Sequence, residues 1–138
     1  MMTLGVSAIA IGLSIYLGGG EMTAHITEVL SAPLTGSAPS LAPMFSPAAE
    51  NELGFYSALW IAYGLVLVMT ARNLALHLSR VPILAGVFFA GGVGRGLAWL
   101  RVGPPPPAFV LLTVIELVLP VIFVALWATA RSSAKTKG

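Results

Sequence analysis

Cysteine is absent from the 138-residue chain. That absence excludes disulfide frameworks, zinc fingers, iron–sulfur clusters and thiol chemistry together. Charge is scarce as well: 9% of the residues are Asp, Glu, Lys or Arg, against roughly 25% in a soluble domain. The clustered basic patch of a nucleic-acid binder is missing, so no nucleic-acid partner is expected. No internal repeat is evident, and no cofactor or catalytic signature rises above background. What remains is apolar. The chain is 57% hydrophobic, with a mean hydropathy of +0.94. A domain this small leaves much of its surface exposed when it folds, so this surface is built for lipid. The length leaves room for one domain, residues 1–138, read as a single integral membrane domain.

Four apolar stretches approach the 20 or so residues needed to cross a bilayer core of about 30 Å. Backbone groups in lipid must be paired within a segment, so helices are expected. The spans fall at about 1–19, 52–71, 81–100 and 108–130, with an outer loop over 20–51 and a cytoplasmic tail over 131–138. The first stretch lacks the basic n-region of a signal peptide and reads as a retained transmembrane helix. Gly18-Gly19-Gly20 ends it. Glu21 to Leu30 then reads as a short interfacial helix, with Met22, Ile26, Val29 and Leu30 on one face and Glu21, His25 and Glu28 on another. Pro33, Pro39 and Pro43 among small uncharged residues mark 31–46 as a loop. Ser46-Pro47 offers an N-cap and first helical position, with Glu50 and Glu52 early in the next helix. The expected fold class is all-α, a four-helix transmembrane bundle with a short interfacial helix and a long loop after helix 1.

The net charge is +2, and its distribution carries the topology. Arg72, Arg80, Arg131, Lys135 and Lys137 share one side if all four spans cross. The other side has Arg101, with Glu21, Glu28, Glu50 and Glu52. The positive-inside rule then places both termini in the cytoplasm. The long first loop and the Pro104–Pro107 run lie outside, the latter a stiff connector.

Helices in lipid associate through small residues that let backbones approach. Gly86, Ala90, Gly94 and Ala98 recur at every fourth position of the third span, with Gly92 and Gly96 beside them. The second span has Gly54, Ala58 and Ala62, and the first has Ala8 and Gly12. These stripes predict the packing faces, with the third span central.

Two ionisable residues sit inside spans. Arg95 follows Pro82 by 13 residues, about 20 Å along a helix. Glu116 follows Ala108 by eight, about 12 Å from the opposite boundary. The two depths nearly coincide, and an isolated charge in lipid costs at least about 2.5–3.5 kcal/mol, so the two are expected to pair. Pro120 lacks an N–H and leaves the Glu116 carbonyl without its helical donor. Glu52 and Tyr56, near the outer end of the second span, complete a possible cluster Glu52–Tyr56–Arg95–Glu116 opening toward the outer leaflet. Two readings of that cluster stand: a binding site, or an ion pair that fixes helix register and does nothing else.

Glu21, His25 and Glu28 share a helical face, but a solvated polar face is the ordinary outcome, and no metal site is assigned. His77 lies with Arg72 and Arg80 in a short connection suited to lipid headgroups. Trp99 and Trp127 read as interfacial anchors. Met44-Phe45 in the outer loop is apolar enough to meet membrane or partner.

The residues also resemble a family. Asn51-Glu52-Leu53-Gly54-Phe55-Tyr56, with Leu59-Trp60 and Tyr63-Gly64, is similar to the second span of the DUF4345 family of small bacterial membrane proteins. The likeness continues through Val81 to Arg95 and reaches Glu116-Leu117 and Pro120, covering about 50–127. The family's polar positions fall on Asn51, Glu52, Tyr56, Arg95 and Glu116. The resemblance implies a bacterial inner-membrane protein and brings no activity with it. A likeness to four-helix DoxX-type membrane proteins is one of architecture alone. No nucleophile–base pair accompanies the cluster, so an enzyme is not expected. The first functional expectation is an accessory or interaction subunit of a larger membrane complex, such as a lipid or metabolite transporter, with lipid and a protein as partners and no cofactor. The alternative is a membrane protein that binds a lipid or small molecule, fatty-acid-like or quinone-like, at the Arg95/Glu116 cluster.

Overall fold

The computed structural model describes residues 1–35 and 46–135. Five α-helices follow one another: α1 (Met2–Thr35), α2 (Pro47–Arg72), α3 (Leu74–His77), α4 (Val81–Val102) and α5 (Pro107–Lys135), with a 3-10 turn at Leu78–Arg80. No strand occurs among the described residues. Four helices are long and apolar enough to cross a membrane, over Met2–Leu34, Pro47–Arg72, Leu74–Val102 and Pro107–Ser132. The fold is therefore all-α, and the chain is a multi-pass membrane protein.

Local chemistry sets the helix ends. The Ser46 hydroxyl accepts the Ala49 N–H at 3.1 Å, the N-cap expected before Pro47. Gly103 ends α4 with φ 97° while its N–H donates to the Trp99 carbonyl at 2.9 Å. Prolines follow, and α5 opens on Pro107, a residue whose missing N–H costs nothing at a helix start. The Gly18–Gly20 break is real: Gly19 adopts φ 55°, ψ −143° and kinks α1 into two segments. Helix nevertheless continues to Thr35, so residues 31–35 are helical and not loop. Met44, Phe45 and the rest of 36–45, together with Lys137, lie outside the described residues.

The chain divides into two compact units, Met1–Arg72 and Asn73–Gly138. In the first, α1 and α2 run antiparallel with their backbones nearly touching. A Cβ on Gly64 would lie 2.7 Å from the Gly5 carbonyl oxygen, and one on Gly5 would lie 2.9 Å from that of Gly64. One on Gly12 would meet Ile61 at 2.8 Å and the Ser57 carbonyl at 3.0 Å. Ala8 is buried beside them. Small residues thus drive this contact, but the α2 face is Ser57–Ile61–Gly64, not Gly54–Ala58–Ala62. Gly54 has open space where its Cβ would be, and Ala58 and Ala62 are exposed.

The second segment of α1 inverts the expected amphipathic order. Met22, Val29 and Leu30 are exposed, and Thr23, Thr27 and Ser31 are buried. Thr23 Oγ1 donates to the Gly19 carbonyl at 3.0 Å and Thr27 Oγ1 to the Thr23 carbonyl at 2.7 Å. A hydroxyl that satisfies itself on the preceding turn can be buried without a further partner. It also takes little space, which suits close packing in lipid better than a bulky apolar face.

In the second unit α4 and α5 form the other antiparallel pair. The two helices approach closely at Gly92, where a Cβ would lie 3.0 Å from Glu116 Cβ and from Leu117 Cγ. Gly86, Ala90, Gly94 and Ala98 are all exposed. A Cβ on Gly86 or Gly94 would meet nothing within 4 Å. The longest stripe is thus not the α4–α5 seam; Gly86 borders an open groove between Pro82, Ala85 and Phe89 of α4 and Pro120, Val121 and Val124 of α5. Spacing alone does not tell which of two adjacent small-residue rows faces the neighbour.

Candidate functional site

The seam between α4 and α5 carries an ion pair. Arg95 donates its Nε–H to Glu116 Oε2 at 2.9 Å. The depth argument from the sequence required this pairing, and the glycines provide the room. Gly91 and Gly92 lie one turn before Arg95, and a Cβ on Gly91 would sit 3.7 Å from Glu116 Oε2. The carboxylate therefore rests against the α4 backbone, where a larger residue would hold it off.

The two charges are unequally placed. The Glu116 side chain is 3% exposed and that of Arg95 31%. The guanidinium carbon of Arg95 lies 5.5 Å from the ring centroid of Phe109 on the first turn of α5, a cation–π distance. One aromatic face and one carboxylate thus fix the fork. A guanidinium carries five N–H donors. The hydrogen bond to Glu116 uses the donor on Nε, so the carboxylate does not engage the two terminal amino groups by a bond of that kind.

The α5 sequence shapes the acid's surroundings. Thr113, Glu116 and Pro120 fall on one buried face. Thr113 Oγ1 donates to the Phe109 carbonyl at 2.7 Å. Pro120 offers no N–H to the Glu116 carbonyl, so one residue brings both a buried carboxylate and a backbone acceptor released from the helix ladder. Chemically, each charge neutralises the other, and a guanidinium bound through Nε is able to offer charge-assisted donors to an oxyanion.

Glu52 and Tyr56 make a pair of their own. Tyr56 follows Glu52 by one turn on α2, within reach of its carboxylate's influence. Tyr56 also meets Phe55 edge-on, with centroids 5.6 Å apart. The four cluster residues thus occur as two pairs, Glu52–Tyr56 in the first unit and Arg95–Glu116 in the second. Asn51 is exposed at the start of α2. Glu21, His25 and Glu28 are exposed, and among the described residues no three His, Cys, Asp or Glu side chains gather as for a metal ion.

One polar contact was not foreseen. Glu50 Oε1 accepts the Gly20 N–H at 2.8 Å, so the carboxylate caps the second segment of α1 at the kink. The glycine run held the signal, because a helix that restarts after a break exposes N–H groups that need an acceptor. Phe109 was also missed, since nothing in its spacing marks it as the aromatic face for Arg95.

With both units described, the chain can be set beside known proteins. The family model described as a domain of unknown function, DUF4345, matches residues 1–127. The chain belongs to the DUF4345 family. The DUF4345 match includes α1 and the connection after it, beyond the region in which the sequence resemblance was drawn, and takes in Glu52, Tyr56, Arg95 and Glu116. No curated protein and no solved structure matches the chain, so the DUF4345 assignment brings no chemistry beyond that of the residues themselves.

Proposed function

We propose that this protein binds an acidic lipid or small amphiphile within the membrane, at Arg95. The observation that supports it is the geometry of one guanidinium. Nε holds Glu116, Phe109 covers one face, and the amino groups remain as donors on a side chain 31% exposed. Donors left open on a lipid-facing helix are expensive unless an acceptor meets them. A carboxylate or phosphate suits the fork, because two parallel N–H···O bonds match its geometry. Glu116 then serves as a positioning residue that keeps the ligand-facing edge aimed outward. The protein lies in a cytoplasmic membrane with both termini inside, as the distribution of Lys and Arg favours.

Retention of endogenous ligand tests this reading. The full chain is purified in mild detergent and its organic extract compared by mass spectrometry with that of Arg95→Leu. An acidic amphiphile enriched with the parent chain and lost from the variant supports binding; identical extracts from two folded proteins end it.

A second reading has its own support. The row Gly86, Ala90, Gly94 and Ala98 is open, and such a row suits a transmembrane helix of a partner. On this reading the protein is an accessory subunit, and a stoichiometric protein co-elutes from its own host and is lost from Gly94→Leu.

A further inference from the structure

We propose that the opposite end of the α4/α5 pair holds a second site, which takes the phosphate of an anionic phospholipid headgroup. The proposal is independent of Arg95. A cavity of about 480 Å³ opens there, lined by Leu78, Ser79, Pro82, Trp127 and Arg131. Two sides of one helical pair build it, the 3-10 turn leading into α4 and the last turns of α5.

Its chemistry is that of a phosphate site with an apolar wall. The guanidinium carbon of Arg131 lies 5.4 Å from the Trp127 ring centroid. Stacking on the indole steadies a side chain that would otherwise sample many rotamers. Ser79 adds a hydroxyl donor, and Arg80 beside it is a second exposed cation. Pro82 places the lining at the first turn of α4, whose N-cap residue Arg80 makes no side-chain cap. Within this unit, Asn73–Gly138, the one carboxylate side chain is Glu116, eleven residues from Trp127, about 16 Å along the helix.

The apolar part of the lining decides the source of the phosphate. Leu78, Pro82 and the Trp127 ring offer nothing to a free ion, but they match the glycerol and first methylenes of a lipid. Tryptophan at this level is also the usual residue of the membrane–water boundary. The headgroup of a phospholipid in the same leaflet satisfies both halves of the cavity.

Native mass spectrometry of the full chain in detergent tests the site. Phosphatidylglycerol, phosphatidylcholine and inorganic phosphate are titrated separately. Phosphatidylglycerol should bind in preference to phosphatidylcholine, and Arg131→Gln should weaken it about tenfold, the worth of one charge-assisted hydrogen-bonded pair. Ser79→Ala should weaken it by a smaller factor, and Arg101→Gln, at the other end of α4, should leave it unchanged. Inorganic phosphate at millimolar concentration should not displace the lipid. Equal losses in Arg131→Gln and Arg101→Gln would reduce the effect to general electrostatics and overturn the site. Displacement by inorganic phosphate would overturn the lipid as its ligand. In an Arg95→Leu background the Arg131-dependent part of phosphatidylglycerol binding should persist and still be lost on Arg131→Gln, so the two sites fail or hold separately.

Discussion

Glu50 closes the break in α1: its carboxylate, on the first turn of α2, accepts the Gly20 N–H at 2.8 Å across 30 residues of chain. Gly19 just before it adopts φ 55°, ψ −143°, a region open essentially to glycine. The kink and its cap are one device. The backbone turns where only glycine can, and a neighbouring helix supplies the acceptor that the turn leaves wanting.

This coupling predicts the effect of Glu50→Ala, which leaves the Gly20 N–H unmet and should cost about 1 kcal/mol, the worth of a helix cap. Gly19→Ala should cost about 1–3 kcal/mol, because its Cβ would be strained and would meet the Glu50 carboxylate. Thermal unfolding in detergent reads both. In the double variant the losses should fall short of their sum, since each disturbs the same contact.

The small residues make a sharper contrast. Gly64→Val and Gly92→Val each push a side chain into a neighbouring helix, where the Cβ alone would stand 2.7 Å from the Gly5 carbonyl or 3.0 Å from Glu116. Overpacking of this kind costs about 1–3 kcal/mol. Gly86→Ala and Gly94→Ala meet nothing within 4 Å, and removing a helical glycine should stabilise each by about 0.5–1 kcal/mol. A melting series across these four variants checks the seam directly.

The Arg95–Glu116 pair answers to a double-mutant cycle. Arg95→Leu strands a carboxylate that is 3% exposed, and Glu116→Leu strands a guanidinium that still reaches the surface. The first should cost about 3 kcal/mol and the second less. Replacing both should recover most of the loss, because no charge is left behind. Full recovery of stability with loss of the retained ligand would separate binding from architecture.

Much of this was legible in the sequence, and the reasons differ by residue. Arg95 and Glu116 could be paired from depth alone, because rise per residue and bilayer thickness are fixed quantities. Ser46-Pro47 and Gly18–Gly20 were legible because capping and helix breaking are local chemistry. Gly64 was not, since its role depends on which face of α2 meets Gly5, and the Gly54–Ala58–Ala62 row has the same spacing. Thr23, Thr27 and Ser31 were hidden by a rule learned in water. In lipid the bulky apolar face has no reason to turn inward, and small hydroxyl side chains pack instead, those of Thr23 and Thr27 satisfied on their own helix. Glu50 was seen as a favourable charge on its own helix, whereas its partner lies on another.

Topology supplies a test that the composition makes clean. The chain has no cysteine, so a single introduced thiol is the only one present. Asn73 and Pro104 are both exposed, and they flank the candidate span Leu74–Val102. If that span crosses, the two positions lie on opposite sides. On the orientation proposed from the Lys and Arg around Arg72 and Arg80, Asn73 would face the cytoplasm. A membrane-impermeant maleimide should therefore label Pro104→Cys in intact cells and Asn73→Cys only after permeabilisation. Charge should set this orientation, so replacing Arg72, Arg80 and Arg131 with Gln should yield a fraction of chains labelled at Asn73→Cys without permeabilisation. Labelling of Asn73→Cys in intact cells carrying the native arginines would place both termini outside. It would also turn the Arg131 cavity toward the opposite leaflet.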